Sequence, residues 1–271
     1  MKPRALIVHA TGTNRDHDVA RALELAGGAP DIVHINALRD GIARLLDYQM
    51  MVLPGGFSYG DDLGAGKLWA IALRARLGGD LEKFVEAGRP VIGICNGFQA
   101  LVKSGLLPAL PTGSTAAEGG GRGARRRPVS QLSPSPQQAT LTRNESGRFE
   151  CRWVELVPEG NNIWTAGLDE NIYCPVAHGE GRFLTTDDNL AAIESQGLVA
   201  VRYSSDVYPA NPNGSMNDIA GISNPGGNVL GLMPHPENHI APEQHPRRHH
   251  GRQPGSGLAL FQNGVKHAGN M

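Results

Sequence analysis

Along the first hundred residues, short apolar runs alternate with stretches patterned as helices. "RALIVHA" (4–10) reads as a strand. "NRDHDVARALELAGG" (14–28) reads as a helix, with a polar start and a double-glycine stop. "PDIVHINAL" (30–38) and "YQMMVLPGG" (48–56) read as the second and third strands, the third ending in a turn. "LEKFVEAG" (81–88) is helical, "RPVIGIC" (89–95) is a strand, and "NGFQALVKSGLL" (96–107) starts another helix. Strands alternating with helices in this way predict crossover units on a mostly parallel sheet, an α/β class in which sites form at the C-terminal ends of the strands.

The second half changes character. "RFECRWVELV", "NIYCPVAHGE", "GRFLTT", "GLVAVRYS" and "NVLGLMPHPE" read as strands, several of them short and antiparallel, and "SGLALFQNGVKHA" reads as a closing amphipathic helix. Between the halves, a stretch rich in Gly, Pro, Ser and Arg has almost no apolar content. It predicts a flexible insertion at 112–138 within a single domain spanning 1–271. Its "RGARRR" suits a solvated loop better than a contact for nucleic acid or an acidic partner. No internal repeat is present.

Composition narrows the class. The chain has 271 residues, is 40% hydrophobic and carries a net charge of −1, enough to bury a sizeable core and without the charge that would point to nucleic acid or an anionic membrane. Three cysteines make no disulfide framework and none has metal-ligand spacing. The start "MKPRALIVHATG" lacks the apolar length of a signal peptide, so the expected compartment is a reducing cytoplasm.

The chemistry starts at "GICNG", where Cys95 stands between Gly93 and Gly97 at a predicted strand end. A strand that turns sharply into a helix lifts the side chain at the turn out of the sheet, and the helix N-terminus beside it stabilises an anionic sulfur. A core cysteine beside a glycine turn is the bland alternative. In "GLMPHPE", His235 and Glu237 stand two apart, on one face of an extended segment, where the carboxylate orients the imidazole and the other ring nitrogen exchanges a proton with a cysteine. In "LPGGFSYGDD", Gly55 and Gly56 either let backbone amides approach a substrate carbonyl, with the Asn96 N–H as a second donor for an oxyanion, or simply turn a loop with no chemistry. "GDDLGAGKL" is not a phosphate loop: the first glycine is missing, and Leu68 stands where the hydroxyl is needed.

"GICNGFQ", "PGGFSYGDD", "NESGRFECRW", "AHGEGRF", "NPNGS" and "GLMPHPE", in this order across nearly the whole chain, resemble the glutaminase subunits of phosphoribosylformylglycinamidine synthases, a family of class I glutamine amidotransferases of purine synthesis. The pattern G-x-C-x-G with H-x-E is general to class I, whereas "GGFSYGDD", "SGRFECRW" and "NPNGS" narrow it. The Arg-rich insertion and the polar "HPRRHHGRQPGSG", including 245–252, depart from the family.

The resemblance implies a flavodoxin-like fold. It also implies a thioester mechanism with Cys95 as nucleophile, His235 as proton carrier and Glu237 as its orienting group. Backbone amides near Gly56, Phe57 and Asn96 would hold the oxyanion. Gln99 would either bind the substrate glutamine or be a helix-surface residue, and His178 would either line the pocket through its backbone or be a structural histidine. No metal and no cofactor is implied on this chain. Ammonia would pass to an ATP-dependent synthetase subunit, carrying ATP and Mg, which amidates formylglycinamide ribonucleotide in a complex with a small accessory subunit. The competing readings are a cysteine hydrolase or chaperone-like protein of the same fold, which has no need of the late His-x-Glu pair, and a class I amidotransferase serving another synthetase.

Overall fold

In the computed structural model, which describes residues 1–111, 137–160, 162–250 and 255–271, the chain begins with β1 (Arg4–His9), α1 (Asp16–Leu25), β2 (Ala29–His34), α2 (Ile35–Arg39) and β3 (Met50–Leu53). It continues through α3 (Lys67–Glu86), β4 (Val91–Ile94), α4 (Asn96–Lys103), β5 (Ala139–Thr142), β6 (Glu150–Pro158), β7 (Ile172–His178), β8 (Arg182–Thr185) and α5 (Asp187–Ser195). The remaining elements are β9 (Val199–Tyr203), β10 (Ile219–Ser223), β11 (Val229–Leu232) and α6 (Leu258–Gly269).

Nine strands form one sheet in the order β2-β1-β3-β4-β11-β10-β9-β6-β7. Pairing is parallel from β2 to β11 and antiparallel from β11 to β7. All four residues of β3, of β4 and of β11 are buried, as the central strands of a sheet covered on both faces require. β7 instead alternates buried and half-buried positions, which marks a strand with one well-covered face. α1 packs with α6, and α3 packs with α2 and α4; Trp69, Phe84, Phe98 and Phe261 are fully buried.

This is the expected α/β architecture, with departures of detail. Residues 35–38, expected to continue the second strand, begin α2, because Nδ1 of His34 accepts the Asn36 N–H and caps a helix there. The helix expected over 81–88 is the last part of the 20-residue α3, which carries Gly78 and Gly79 in its interior. α5 is started by the Thr186 hydroxyl, which accepts the Asn189 N–H. That helix and the short β5 and β10 were not expected.

Residues 112–136 of the expected insertion lie outside the described residues, but Gln138 belongs to the folded body. Its Oε1 accepts the Leu110 N–H (2.9 Å), and its Nε2 donates to the Leu110 carbonyl (2.8 Å). Part of the polar stretch near the end is also anchored. His245 is buried, with its ring against Trp153, Tyr173 and His239. The same region covers the outer edge of β7, where the Tyr173 N–H donates to the Gly255 carbonyl (2.8 Å) and Nδ1 of His239 bonds to the Tyr173 carbonyl (2.6 Å).

Candidate active site

β4 and β11 are neighbours in register, Ile94 beside Leu232, so the residues that follow them emerge side by side at the C-terminal edge of the parallel strands. Cys95 comes directly after β4, and its N–H donates to the Leu232 carbonyl (2.8 Å). Its φ of 51° and ψ of −105° are the sharp turn expected at this position, a conformation that costs about 1–3 kcal/mol in a non-glycine residue.

The flanking glycines allow the turn by close packing. A Cβ on Gly97 would lie 2.0 Å from the Leu53 carbonyl oxygen, and one on Gly93 would lie 2.7 Å from the Gly97 oxygen. The first turn of α4 is thereby pressed against β3 with the sulfur at the helix start.

His235 and Glu237 meet as expected, through a different backbone. Pro236–Asn238 is one turn of 3₁₀ helix rather than an extended segment, and Nδ1 of His235 lies 2.7 Å from Oε1 of Glu237. The segment is fixed to β7 by the His235 N–H, which donates to the Pro175 carbonyl (2.8 Å). Both side chains are buried. Burial disfavours a charged ring, but the Glu237 carboxylate and the Cys95 sulfur outweigh it and raise the imidazole to about 10. Among the described residues, Nε2 of His235 and Oε2 of Glu237 have no hydrogen-bond partner.

One face of β7 looks onto this pair. His178 and Cys174, four apart, share the buried face: burial and then the charge of His235 lower the His178 imidazole to about 3, while burial and then Glu237 raise the Cys174 thiol. The Ala177 carbonyl, next to His178, lies 3.9 Å from the Cys95 sulfur. Nδ1 of His178 bonds to Oδ1 of Asn144 (3.1 Å).

The glycine loop after β3 is close by. A Cβ on Gly55 would fall 2.7 Å from Cε1 of His235, and Gly56 has a φ of 143°. The Phe57 N–H, expected to hold an oxyanion, donates to the Gly12 carbonyl (3.1 Å), and the Phe57 side chain is exposed. Asn96 begins α4, and its carboxamide straps the loop: Oδ1 accepts the Ser58 N–H (3.1 Å), and Nδ2 donates to Asp61 (3.0 Å) and to Gln99 (2.9 Å). Gln99 is buried and its Nε2 donates to the Glu180 carbonyl (2.6 Å), so its side chain is committed to this network rather than to the helix surface. Asn144, Asp61 and Lys103 were not singled out from sequence. Asp61 is raised by burial, and Lys103, lowered by burial, donates to the Ala65 carbonyl. Asn144 opens "NESGRFECRW", and that motif was its only signal.

Residues 2–268 match the family described as CobB/CobQ-like glutamine amidotransferase domain. The phosphoribosylformylglycinamidine synthase subunit PurQ of Treponema denticola is 51% identical over 252 residues, 89% of each chain. The chain belongs to the PurQ family of glutamine amidotransferases. The PurQ subunit of Dehalococcoides mccartyi is 42% identical over 98% of each chain. Among solved structures, a chain of PurLQS from Thermotoga maritima has a TM-score of 0.71 at 34% identity, covering 98% of this chain and 99% of that one. A putative GMP synthase component from Thermoplasma acidophilum, at a TM-score of 0.54 and 14% identity over 100% of this chain and 96% of that one, shares the fold. Among the described residues of this PurQ-family chain, the three cysteines are free, and no helix is long and apolar enough to cross a membrane.

Proposed function

We propose that Cys95, His235 and Glu237 form the triad of this glutaminase subunit of phosphoribosylformylglycinamidine synthase, an enzyme of purine biosynthesis. The Cys95 sulfur attacks the side-chain carbonyl carbon of glutamine, after its proton has passed to Nε2 of His235. The tetrahedral intermediate collapses as the C–N bond breaks, and His235 returns the proton to the departing nitrogen as ammonia leaves. Water, deprotonated by His235, then cleaves the thioester and releases glutamate. Glu237 holds Nδ1–H of His235 throughout and stabilises the charged ring.

The observation that carries this reading is the buried His235–Glu237 contact of 2.7 Å, which leaves Nε2 of His235 without a partner beside a cysteine held at a φ of 51°. Ammonia is the useful product. It passes to an ATP-dependent synthetase subunit, which carries the ATP and Mg and converts formylglycinamide ribonucleotide to formylglycinamidine ribonucleotide in a complex with a small accessory subunit. The setting is a reducing cytoplasm, which keeps the thiol free. Backbone amides near Gly56, Phe57 and Asn96 supply the oxyanion donors, the Phe57 N–H only once it leaves the Gly12 carbonyl.

The test is Cys95→Ala. Glutamine-dependent amidation by the assembled complex should be abolished, while amidation supplied with ammonia persists. Continued glutamate release from Cys95→Ala would overturn the mechanism.

A further inference from the structure

His178 has a tautomer that its neighbours dictate. Asn144 Nδ2 donates to the carbonyls of Arg148 and of His178, both at 2.8 Å, which fixes the amide so that Oδ1 is the acceptor end; Oδ1 also takes the Gly181 N–H (3.0 Å). The His178 Nδ1 facing Oδ1 at 3.1 Å must therefore carry a hydrogen. A neutral imidazole has one N–H, so Nε2 bears a bare lone pair. The ring is held neutral by burial and by the charge of His235. It lies across Gly181, where a Cβ would be 2.4 Å from both Cε1 and Nδ1. Among the described residues this buried lone pair has no donor.

The surroundings indicate what the lone pair is for. Next along β7 is the Ala177 carbonyl, another acceptor, 3.9 Å from the Cys95 sulfur, and the charge of His235 reaches the His178 ring. Such a place suits a group that brings its own N–H bonds. The carboxamide of glutamine does so, as does the ammonia it becomes. The carboxylate of glutamate has acceptors only and would set lone pair against lone pair.

We propose that Nε2 of His178 accepts an N–H of the scissile carboxamide and thereby selects glutamine over glutamate, so that the site binds its substrate and rejects its product. This rests on the glutaminase reading above. It gives the histidine a role through its ring, beyond any backbone contact.

The experiment measures glutamine and glutamate binding by calorimetry to the full chain, with Cys95→Ala present to prevent turnover. Cys95→Ala alone should prefer glutamine. Adding His178→Asn keeps a donor for Asn144 but leaves no acceptor at the Nε2 position, and should shrink the glutamine-to-glutamate affinity ratio at least tenfold, about 1.4 kcal/mol. Adding His178→Gln, whose carboxamide oxygen reaches the Nε2 position, should restore most of the ratio. An unchanged ratio in His178→Asn, or equal weakening of both ligands, would overturn the proposal and leave the glutaminase reading standing. No glutamine binding by Cys95→Ala itself would overturn both. Nitrogen NMR of the histidine-labelled chain needs no substituted His178: the ring should be the Nδ1–H tautomer, and its Nε2 signal should move with glutamine but not with glutamate. An Nε2–H tautomer would refute the assignment.

Discussion

The ring of His235 lies against Gly55, where an added Cβ would fall 2.7 Å from Cε1. The glycine makes room for the imidazole proposed as the base, in addition to the oxyanion contact that its sequence context suggests. Gly55→Ala should therefore fold normally by circular dichroism and lose about a hundredfold in kcat through a displaced imidazole. Wild-type kcat in this variant would mean that the ring can shift without consequence.

The raised pKa of His235 predicts a pH dependence of stability and of rate. The folded protein holds this proton more tightly than the unfolded chain, whose imidazole titrates near 6.5. The resulting stability is fully present below about 6.5, declines as pH rises, and is gone above about 10. Glu237→Gln removes a charge that raises the ring. The slope of Tm between these limits should flatten, and the alkaline limb of kcat/KM should move down by about one pH unit or more. An alkaline limb unchanged in Glu237→Gln would show that the carboxylate does not hold the proton on His235.

Partner docking should switch the glutaminase on. The Phe57 N–H is tied to the Gly12 carbonyl at 3.1 Å, so this donor reaches an oxyanion only after that bond breaks, in a loop that has glycines at 55, 56 and 60. Adding the synthetase and accessory subunits with glutamine at saturation should raise kcat for glutamate release at least tenfold, about 1.4 kcal/mol. Equal rates with and without partners would show that the loop is already competent.

The segment between Leu110 and Gln138 should be dispensable for chemistry. These two residues are joined by a pair of hydrogen bonds at 2.8 and 2.9 Å, so the insertion leaves and re-enters the folded body at one point. Replacing 112–136 by a short Gly/Ser linker, with Gln138 kept, should change stability by about 1 kcal/mol or less and leave glutaminase activity intact. Activity lost in the free chain would place the Arg-rich stretch at the site; activity lost only in the complex would make it a docking element.

What could be read from sequence was the geometry that local spacing enforces. The glycines around Cys95 and the two-residue step from His235 to Glu237 act within a few residues of themselves, and both survive in the structure. What depends on distant partners was hidden. The reason for Gly55 lies 180 positions away, in the ring of His235. The carboxamide of Gln99 is spoken for by Glu180, and the tautomer of His178 by Asn144. The front of α3 was obscured by Gly78 and Gly79, which punctuate most helices but here have open space around them. β10, with the short sequence "IAGIS", offers no alternation to detect, since all five of its residues are buried.

The left-handed backbone at Cys95 sets the interests of the enzyme against those of the fold. Glycine at that position would relieve the strain and delete the thiol proposed as nucleophile, so on that proposal a library of variants screened for thermal endurance alone would drift toward an inert protein. On the proposed mechanism only a screen that demands turnover keeps the thiol, and the sulfur then records selection for nitrogen transfer written against the thermodynamic preference of the chain.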